Sequence, residues 1–401
     1  MDNFFNNILN NTQHGFIKGR SCLTNLLINQ YSIGNMMDEG KAVDIIYLDF
    51  QKAFDKVPHV KLVKKIRNFG ISGKLSDWIE NWLTGRAQRV VINGISSDWV
   101  DVTSGVPQGS ILGPLLFTLF IDDIDNGISN PLLKFADDTK MWGSVSSEEE
   151  RVRMHEDLEK LSNWSKENRM PFNESKCKVI HIGKKNPREF YTLNGQTLAA
   201  VNEEKDLGIF VTNNFKPSLN CDKASKSANK VIGLIRRNII NKNEEGMLIL
   251  YKTLIRPILD YCIPAWRPYF KRDIGKLEKL QKRFTKMIAG CKNLKYEQRL
   301  MKLGLTSLQT RHYRADMIQT FKVLNDCNNK IYPVGFLSLA ERAGRKNSKK
   351  LYKKRNFLEV SRNGFTSRVV DKWNELPETV VSAADVNVLK EDWITICKTL
   401  L

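Results

Sequence analysis

No stretch of this 401-residue sequence approaches the roughly 20 apolar residues that a membrane span needs. The longest apolar run, Ile111 to Ile121, is about half that length, and Gly113 and Pro114 interrupt it. No membrane partner is expected. A basic-then-apolar leader is also lacking, since Asp2, Asn3 and Phe4 follow Met1, so no signal peptide is expected. Cysteine is sparse and scattered: seven residues, no C-x-x-C pair, and none of the five histidines at a ligand-like spacing from them. That excludes a disulfide framework and a zinc finger or knuckle, and predicts a reducing intracellular compartment. No internal repeat is visible, and nothing calls for an oligomer.

Acidic charge is what the middle of the chain lacks. The net charge is +19. Residues 1–213 hold 25 Lys and Arg against 27 Asp and Glu, a net of −2, and residues 356–401 hold 5 against 7, again −2. Residues 214–355 hold 33 against 10, a net of +23. A block that basic is a footprint for a polyanion such as nucleic acid. The bland alternative is a solvated, lysine-rich helical surface.

The first half mixes strand and helix signals and reads as α+β. Val43–Phe50 (VDIIYLDF) is a buried strand. A strand region runs from Arg89–Asn93 to Asp101–Ser104. Leu132–Ala136 and Lys140–Trp142 flank Asp137-Asp138-Thr139 as a hairpin, and Val179–Ile182 and Ile209–Val211 are short strands. Helices are predicted over 62–69, 76–83, 111–121 and 148–168. The second half is helical. From Asp273, a plausible N-cap, to a stop at Gly290, Leu277, Leu280, Phe284, Met287 and Ile288 form an apolar stripe. Lys276, Lys279, Lys282, Arg283 and Lys286 form a basic face that is either solvated or lies along phosphates. Arg342–Arg355 reads as a basic linker, with a phosphate contact or nuclear import signal as alternatives. Trp373 and Trp393 are predicted packing anchors of a helical tail.

Three carboxylates carry the chemistry. Asp49 ends the buried strand, and Asp137 and Asp138 sit at a hairpin tip, where two adjacent negative charges need a cation. Joining a nucleotide needs two divalent ions about 3.5–4 Å apart, and hard Mg²⁺ takes carboxylate and water oxygens. Taken alone, the Asp pair reads more readily as an exposed turn.

Order and context add a resemblance. Asp49-Phe50-Gln51-Lys52-Ala53-Phe54-Asp55 resembles the first palm motif of reverse transcriptases, and Phe135-Ala136-Asp137-Asp138 is similar to their aromatic-x-Asp-Asp hairpin. Between them, Ser104-Gly105-Val106-Pro107-Gln108-Gly109-Ser110 through Pro114 resembles their template- and nucleotide-contacting motif. His14-Gly15-Phe16-Ile17-Lys18-Gly19-Arg20-Ser21-Cys22, Asn163-Trp164 through Asn173 with Lys176-Cys177, Leu207-Gly208, Leu259-Asp260-Tyr261-Cys262 with Trp266, and Trp373 through Pro377 are similar to segments of the non-LTR retrotransposon family, jockey-like elements in particular.

The resemblance implies a right-hand polymerase: partial fingers in 1–42, a palm in 43–213, a basic helical thumb in 214–340, and a linker and helical extension in 341–401. It implies an RNA-directed DNA polymerase that adds deoxynucleoside triphosphates to a DNA primer on an RNA template. Two Mg²⁺ ions, replaceable by Mn²⁺, would sit on Asp49, Asp137, Asp138 and the Phe50 carbonyl. Phe54 would be a steric gate against the 2′-hydroxyl. Gln108, Gly109 and Arg20 would contact the nucleotide, and Lys176 would protonate pyrophosphate. The basic helix face would bind nucleic acid, and the nucleus is favoured over the cytoplasm. The chain starts just before Gln13-His14-Gly15, which implies that the family's endonuclease and upstream fingers are absent and that activity is weak. The rival readings are an inactive remnant that only binds nucleic acid, and an RNA polymerase or intron maturase. Bulky Phe54 argues against the RNA polymerase.

Overall fold

A computed structural model describes residues 8–325, 331–341 and 347–390. The chain forms two compact units. The first comprises 1–25 and 39–207, and the second comprises 26–38 and 208–401. Among the described residues no helix is long and apolar enough to cross a membrane.

The first unit is built on one five-stranded sheet. Its central strand is β1 (Val43–Leu48). Four two-residue strands follow: β2 (Ala87–Gln88), β3 (Val91–Ile92), β4 (Ile95–Ser96) and β5 (Val100–Asp101). Then come β6 (Leu132–Phe135), β7 (Asp138–Ser144), β8 (Lys178–Ile182), the small hairpin β9 (Thr192–Leu193) and β10 (Gln196–Thr197), and β11 (Ala199–Ala200). The large sheet has the order β11-β8-β1-β7-β6, with β11 parallel to β8 and the other pairs antiparallel. β1 is apolar at nearly every position because both of its faces are covered. Asp44 is the buried exception, and Tyr191, Asn186 and His181 all bond to its carboxylate. Helices Leu112–Phe120 and Glu148–Asn168 run within one residue of their predicted spans. The second starts sharply because Ser147 and Glu150 form a capping box.

The region predicted as strand over 89–104 is an exposed ribbon, β2 with β5 and β3 with β4. Asn93 and Gly94, at φ 51° and 82°, turn it. Its strand character ends at Asp101, because Ser104 leaves to bridge Pro58 instead.

The second unit is helical, with Ser218–Asn238, Lys271–Thr285 and Leu308–Asn325 as its long elements beside 26–38 of helix Cys22–Asp38. Two expectations are corrected here. Asp273 is not an N-cap. Helix Lys271–Thr285 begins two residues earlier, and Asp273 is fully buried, accepting a hydrogen bond from Ser218 Oγ at 2.5 Å. The helix also stops at Thr285 rather than continuing to Gly290. The basic linker proves to be held in place where it is described. Asn347 and Leu351 are buried, Trp373 Nε1 donates to the Lys349 carbonyl at 2.8 Å, and Leu351 exchanges two bonds with the Asn374 side chain. Arg342–Lys346 and Trp393 lie outside the described residues. Trp373 is completely buried, as predicted. Late and early chain meet in this unit: the Asp38 carboxylate accepts the Phe357 and Leu358 N–H groups at 2.9 and 2.7 Å, and Ser361 Oγ donates to the Gly34 carbonyl at 3.0 Å.

Candidate active site

The carboxylates meet where the neighbouring inner strands β1 and β7 end. Leu48, the last residue of β1, pairs with Thr139 of β7. In an antiparallel ladder the next residue on one strand faces the preceding residue on the other, so Asp49 and Asp138 leave the ladder side by side. Phe135 pairs with Asp138, which makes Ala136-Asp137 a two-residue turn. Ala136 adopts φ 55°, a left-handed conformation that costs a residue with a Cβ about 1–2 kcal/mol. The N-terminal segment holds it there. Gln13 pairs in parallel with Lys134 along β6, and its side-chain oxygen accepts from the N–H of both Ala136, at 2.9 Å, and Gly15, at 2.7 Å. Gly15 has no room for a side chain, since a Cβ there would lie 2.4 Å from the Ala136 nitrogen.

The site is electrostatically unfavourable for its own charges. Burial, and then Asp49, raise the Asp137 pKa against its own backbone hydrogen bond. Burial first, and then Asp137, Asp206 and Asp49, push Asp138 up to about 6. Asp49 Oδ2 is buried and makes no hydrogen bond; its charge partner is Lys176 Nζ at 3.0 Å. Beneath it, the Asp49 N–H donates to Cys177 Sγ at 3.4 Å, and burial pushes that thiol up to about 11, so it stays protonated. A cavity of about 300 Å³ opens beside Asp49 and Asp138 and is also lined by Lys140, Lys176, Lys178 and Asp206. Lys140 and Asp206 form a buried ion pair there.

These residues fit a hard divalent cation. The donors are carboxylate oxygens crowded into a partly dry site, one of them without a hydrogen bond. Among the described residues no three His, Cys, Asp or Glu side chains close into a ready cage. The bonds that bridge Phe50 to Phe172 belong to Gln51 and Asp49, so the bridge itself does not use the Phe50 carbonyl.

Next to Asp49 the chain turns through Phe54 and Asp55, and the 104–109 loop is stapled to that turn. Gly105 N–H donates to Val57 O and Val106 N–H to Phe54 O, both at 2.8 Å. A Cβ on Gly105, at φ 89°, would sit 2.7 Å from the Asp55 backbone. Gln108 Nε2 donates to Asp55 Oδ1 at 2.9 Å. The Phe54 ring stacks on Phe117 at 4.4 Å and meets Phe16 edge-on at 6.4 Å. Gly109, at φ 81°, faces open space. Arg20 is engaged within the N-terminal loop, donating to the Asn10 and Gln13 carbonyls at 2.8 and 2.6 Å and to Asn11. In the second unit, Lys276 ion-pairs with Asp222, Arg283 donates to Asn229 at 3.0 Å, and Lys282 lies 4.8 Å over the Tyr296 ring. Lys279 and Lys286 point to solvent. Sequence reasoning missed Gln13 as the hairpin clamp and Asp206 as the partner of Lys140.

Residues 1–216, more than half of the chain, match the family model described as reverse transcriptase (RNA-dependent DNA polymerase). The chain belongs to the reverse transcriptase family. Among curated relatives, the chain is 26% identical over 257 residues to the RNA-directed DNA polymerase from mobile element jockey of Drosophila funebris, covering 61% of this chain and 28% of that one. It is 25% identical to a Pol polyprotein from type-1 retrotransposable element R2 of Popillia japonica, covering 47% and 34%. It is 24% identical to the probable RNA-directed DNA polymerase from transposon X-element of Drosophila melanogaster, covering 70% and 32%. The chain thus spans about a third of the length of these relatives. The likeness to non-LTR retrotransposon enzymes, seen first in the motifs, holds across these matches.

Proposed function

We propose that the chain carries the polymerase of a non-LTR retrotransposon and adds deoxynucleotides to a DNA 3′ end on an RNA template. The observation that supports this best is the meeting of Asp49, Asp137 and Asp138 at the ends of strands β1 and β7, beside the Phe54–Gln108 turn. In this reading the first unit holds the palm and part of the fingers, and 214–340 supplies the thumb. Asp49, Asp137, Asp138 and the Phe50 carbonyl hold two Mg²⁺ ions, or Mn²⁺ in their place, and the bound ions supply activation of the primer hydroxyl and charge neutralisation at pyrophosphate.

The protein's own groups orient and select. Phe54, braced by Phe117, closes the space where a 2′-hydroxyl would lie. Gln108 is fixed through Asp55 next to that ring and faces the nucleotide with Gly109. Lys176 stands at Asp49 with a proton for the leaving pyrophosphate. Arg20 acts on the nucleotide through the loop it braces. The basic face of helix Lys271–Thr285 lies along phosphates, with Lys279 and Lys286 the most open. The second reading, a remnant that binds nucleic acid without extending it, rests on the tied state of Arg20, Lys276 and Arg283. Primer extension on an RNA template with Mg²⁺ separates the two. Asp137→Asn is expected to lower the rate by about two to three decades. Near-normal extension by that variant would overturn the assignment.

A further inference from the structure

The second unit contains a cavity of about 300 Å³, in the size range of small-ligand sites, whose walls come entirely from that unit. None of the three catalytic carboxylates lines it. Its walls are unusually rich in rings: Tyr31, Phe215, Trp266, Tyr269, Phe336 and Phe365 all face it. Lys216 and Lys354 line it too, and among the described residues no Asp or Glu does. Lys354 Nζ meets the neutral Asn35 Oδ1 at 3.1 Å, and Lys216 Nζ lies 5.5 Å over the Phe270 ring. Two further lining cations, Arg267 and Arg368, share the single carboxylate of buried Asp316 behind the wall, which leaves that trio positive as well.

Two details separate this cavity from a packing defect. Tyr269 has a hydroxyl oxygen sealed from solvent with no hydrogen-bond partner, a state that is rare and asks for an acceptor or donor. Burial, and then Glu359 and Asp273, push that hydroxyl up to about 12, so it remains a proton donor at neutral pH. Phe215, on the cavity wall, is held at φ 58°, a left-handed conformation unusual for a bulky residue. Its N–H bond to the Thr212 carbonyl at 2.9 Å fixes the turn.

A purely apolar ligand leaves the lysines and the Tyr269 hydroxyl without a role, and a simple anion leaves the rings without one. A planar heterocycle carrying negative charge uses all of them. We propose that this cavity binds one unpaired nucleotide of a nucleic-acid strand, its base among the rings and its phosphate at Lys216 and Lys354. Stacking of a base on aromatic side chains tolerates any sequence, because every base offers a π-face, and a paired base cannot enter. The site goes beyond the polymerase reading and does not depend on it.

The test uses the full chain carrying Asp137→Asn, so that binding is read without extension. A single-stranded RNA with one 5-iodouridine is photo-crosslinked and the adduct mapped by mass spectrometry. Adducts are expected on peptides containing Phe215, Trp266 or Tyr269. Unlabelled single strand should compete, and a fully paired duplex of the same sequence should not. Uridine monophosphate competing as well as the strand would keep the site and make a free nucleotide its occupant. Lys216→Gln with Lys354→Gln is expected to weaken single-strand binding on the order of tenfold, and Tyr269→Phe by about threefold. Adducts confined to peptides that do not line the cavity, or a double variant that binds and crosslinks like the parent, would overturn the proposal.

Discussion

Gln13 and Ala136 are 123 positions apart, yet the Gln13 side chain holds both polar groups of the Ala136 backbone, accepting from its N–H at 2.9 Å and donating to its carbonyl at 3.5 Å. The carboxylate turn is therefore held in its left-handed conformation by a residue near the start of the chain. Gln13→Ala should cost about 1–3 kcal/mol, because it leaves buried backbone groups without partners. Extension should fall more than global stability accounts for, since the turn carries Asp137. Urea titration alongside single-turnover extension measures both; a variant that unfolds earlier but extends normally would show that the clamp serves stability alone.

His14, next to this clamp, sets a pH dependence. Its ring is buried, and burial, then Arg20 and Lys140, lower its pKa from 6.5 to about 3. Thr24 Oγ1 donates to the Ser21 carbonyl, so His14 Nδ1–H donates to Thr24 and Nε2 is the bare nitrogen. The folded state refuses a proton that the unfolded chain takes up below pH 6.5. Stability from this group is present above pH 6.5 and is lost as pH falls toward 3, by about 2 kcal/mol at pH 5. Denaturant midpoints between pH 7 and pH 4.5 should show a slope that His14→Gln reduces. An identical slope in the variant would assign it to other groups.

The braced Phe54 ring predicts sugar selection. Phe54→Val should raise ribonucleotide incorporation relative to deoxynucleotide incorporation by at least tenfold, about 1.4 kcal/mol of discrimination, while deoxynucleotide use changes little. Competing-substrate extension on one template gives the ratio directly. If the ratio does not move, the ring is packing for Phe117 and nothing more.

The basic block predicts salt-sensitive binding of a primer–template duplex with little sequence preference. Changing Lys279, Lys282 and Lys286 together to Gln should lower the magnitude of the log–log salt slope by roughly 2.7, at about 0.9 per phosphate lost on B-DNA. Fluorescence anisotropy between low and physiological salt reports the slope. An unchanged slope would leave these lysines a solvated surface.

Local pattern made much of the first unit legible. β1 reads as a buried strand from its nearly unbroken apolar run, and helix Glu148–Asn168 keeps its predicted span. What could not be read depends on distant partners. Asp273 has the local look of an N-cap, but Ser218, 55 positions away, holds it inside the helix. Arg20 and Gln108 looked available for a nucleotide, and only the fold shows the Gln13 carbonyl and the Asp55 side chain already bonded to them. The 347–355 segment is polar enough to read as a linker, yet Trp373 and Asn374 hold its backbone.

The bonds from Asp38 to Phe357 and Leu358 also bear on synthesis. Helix residues 26–38 are made early, but the partners that receive them emerge from the ribosome some 320 positions later. At translation speeds of about 5–20 residues per second, that is a wait of roughly 15–65 seconds. Leu27 and Tyr31, which end up walling the second unit's cavity, meet its 210–220 and 265–269 walls part-way through that interval and its 335–368 walls only at the end. The first unit can assemble its sheet in the meantime, because every strand of it lies before residue 201. A stop soon after residue 201 would therefore release a chain with a finished sheet and a helix whose second-unit neighbours are missing.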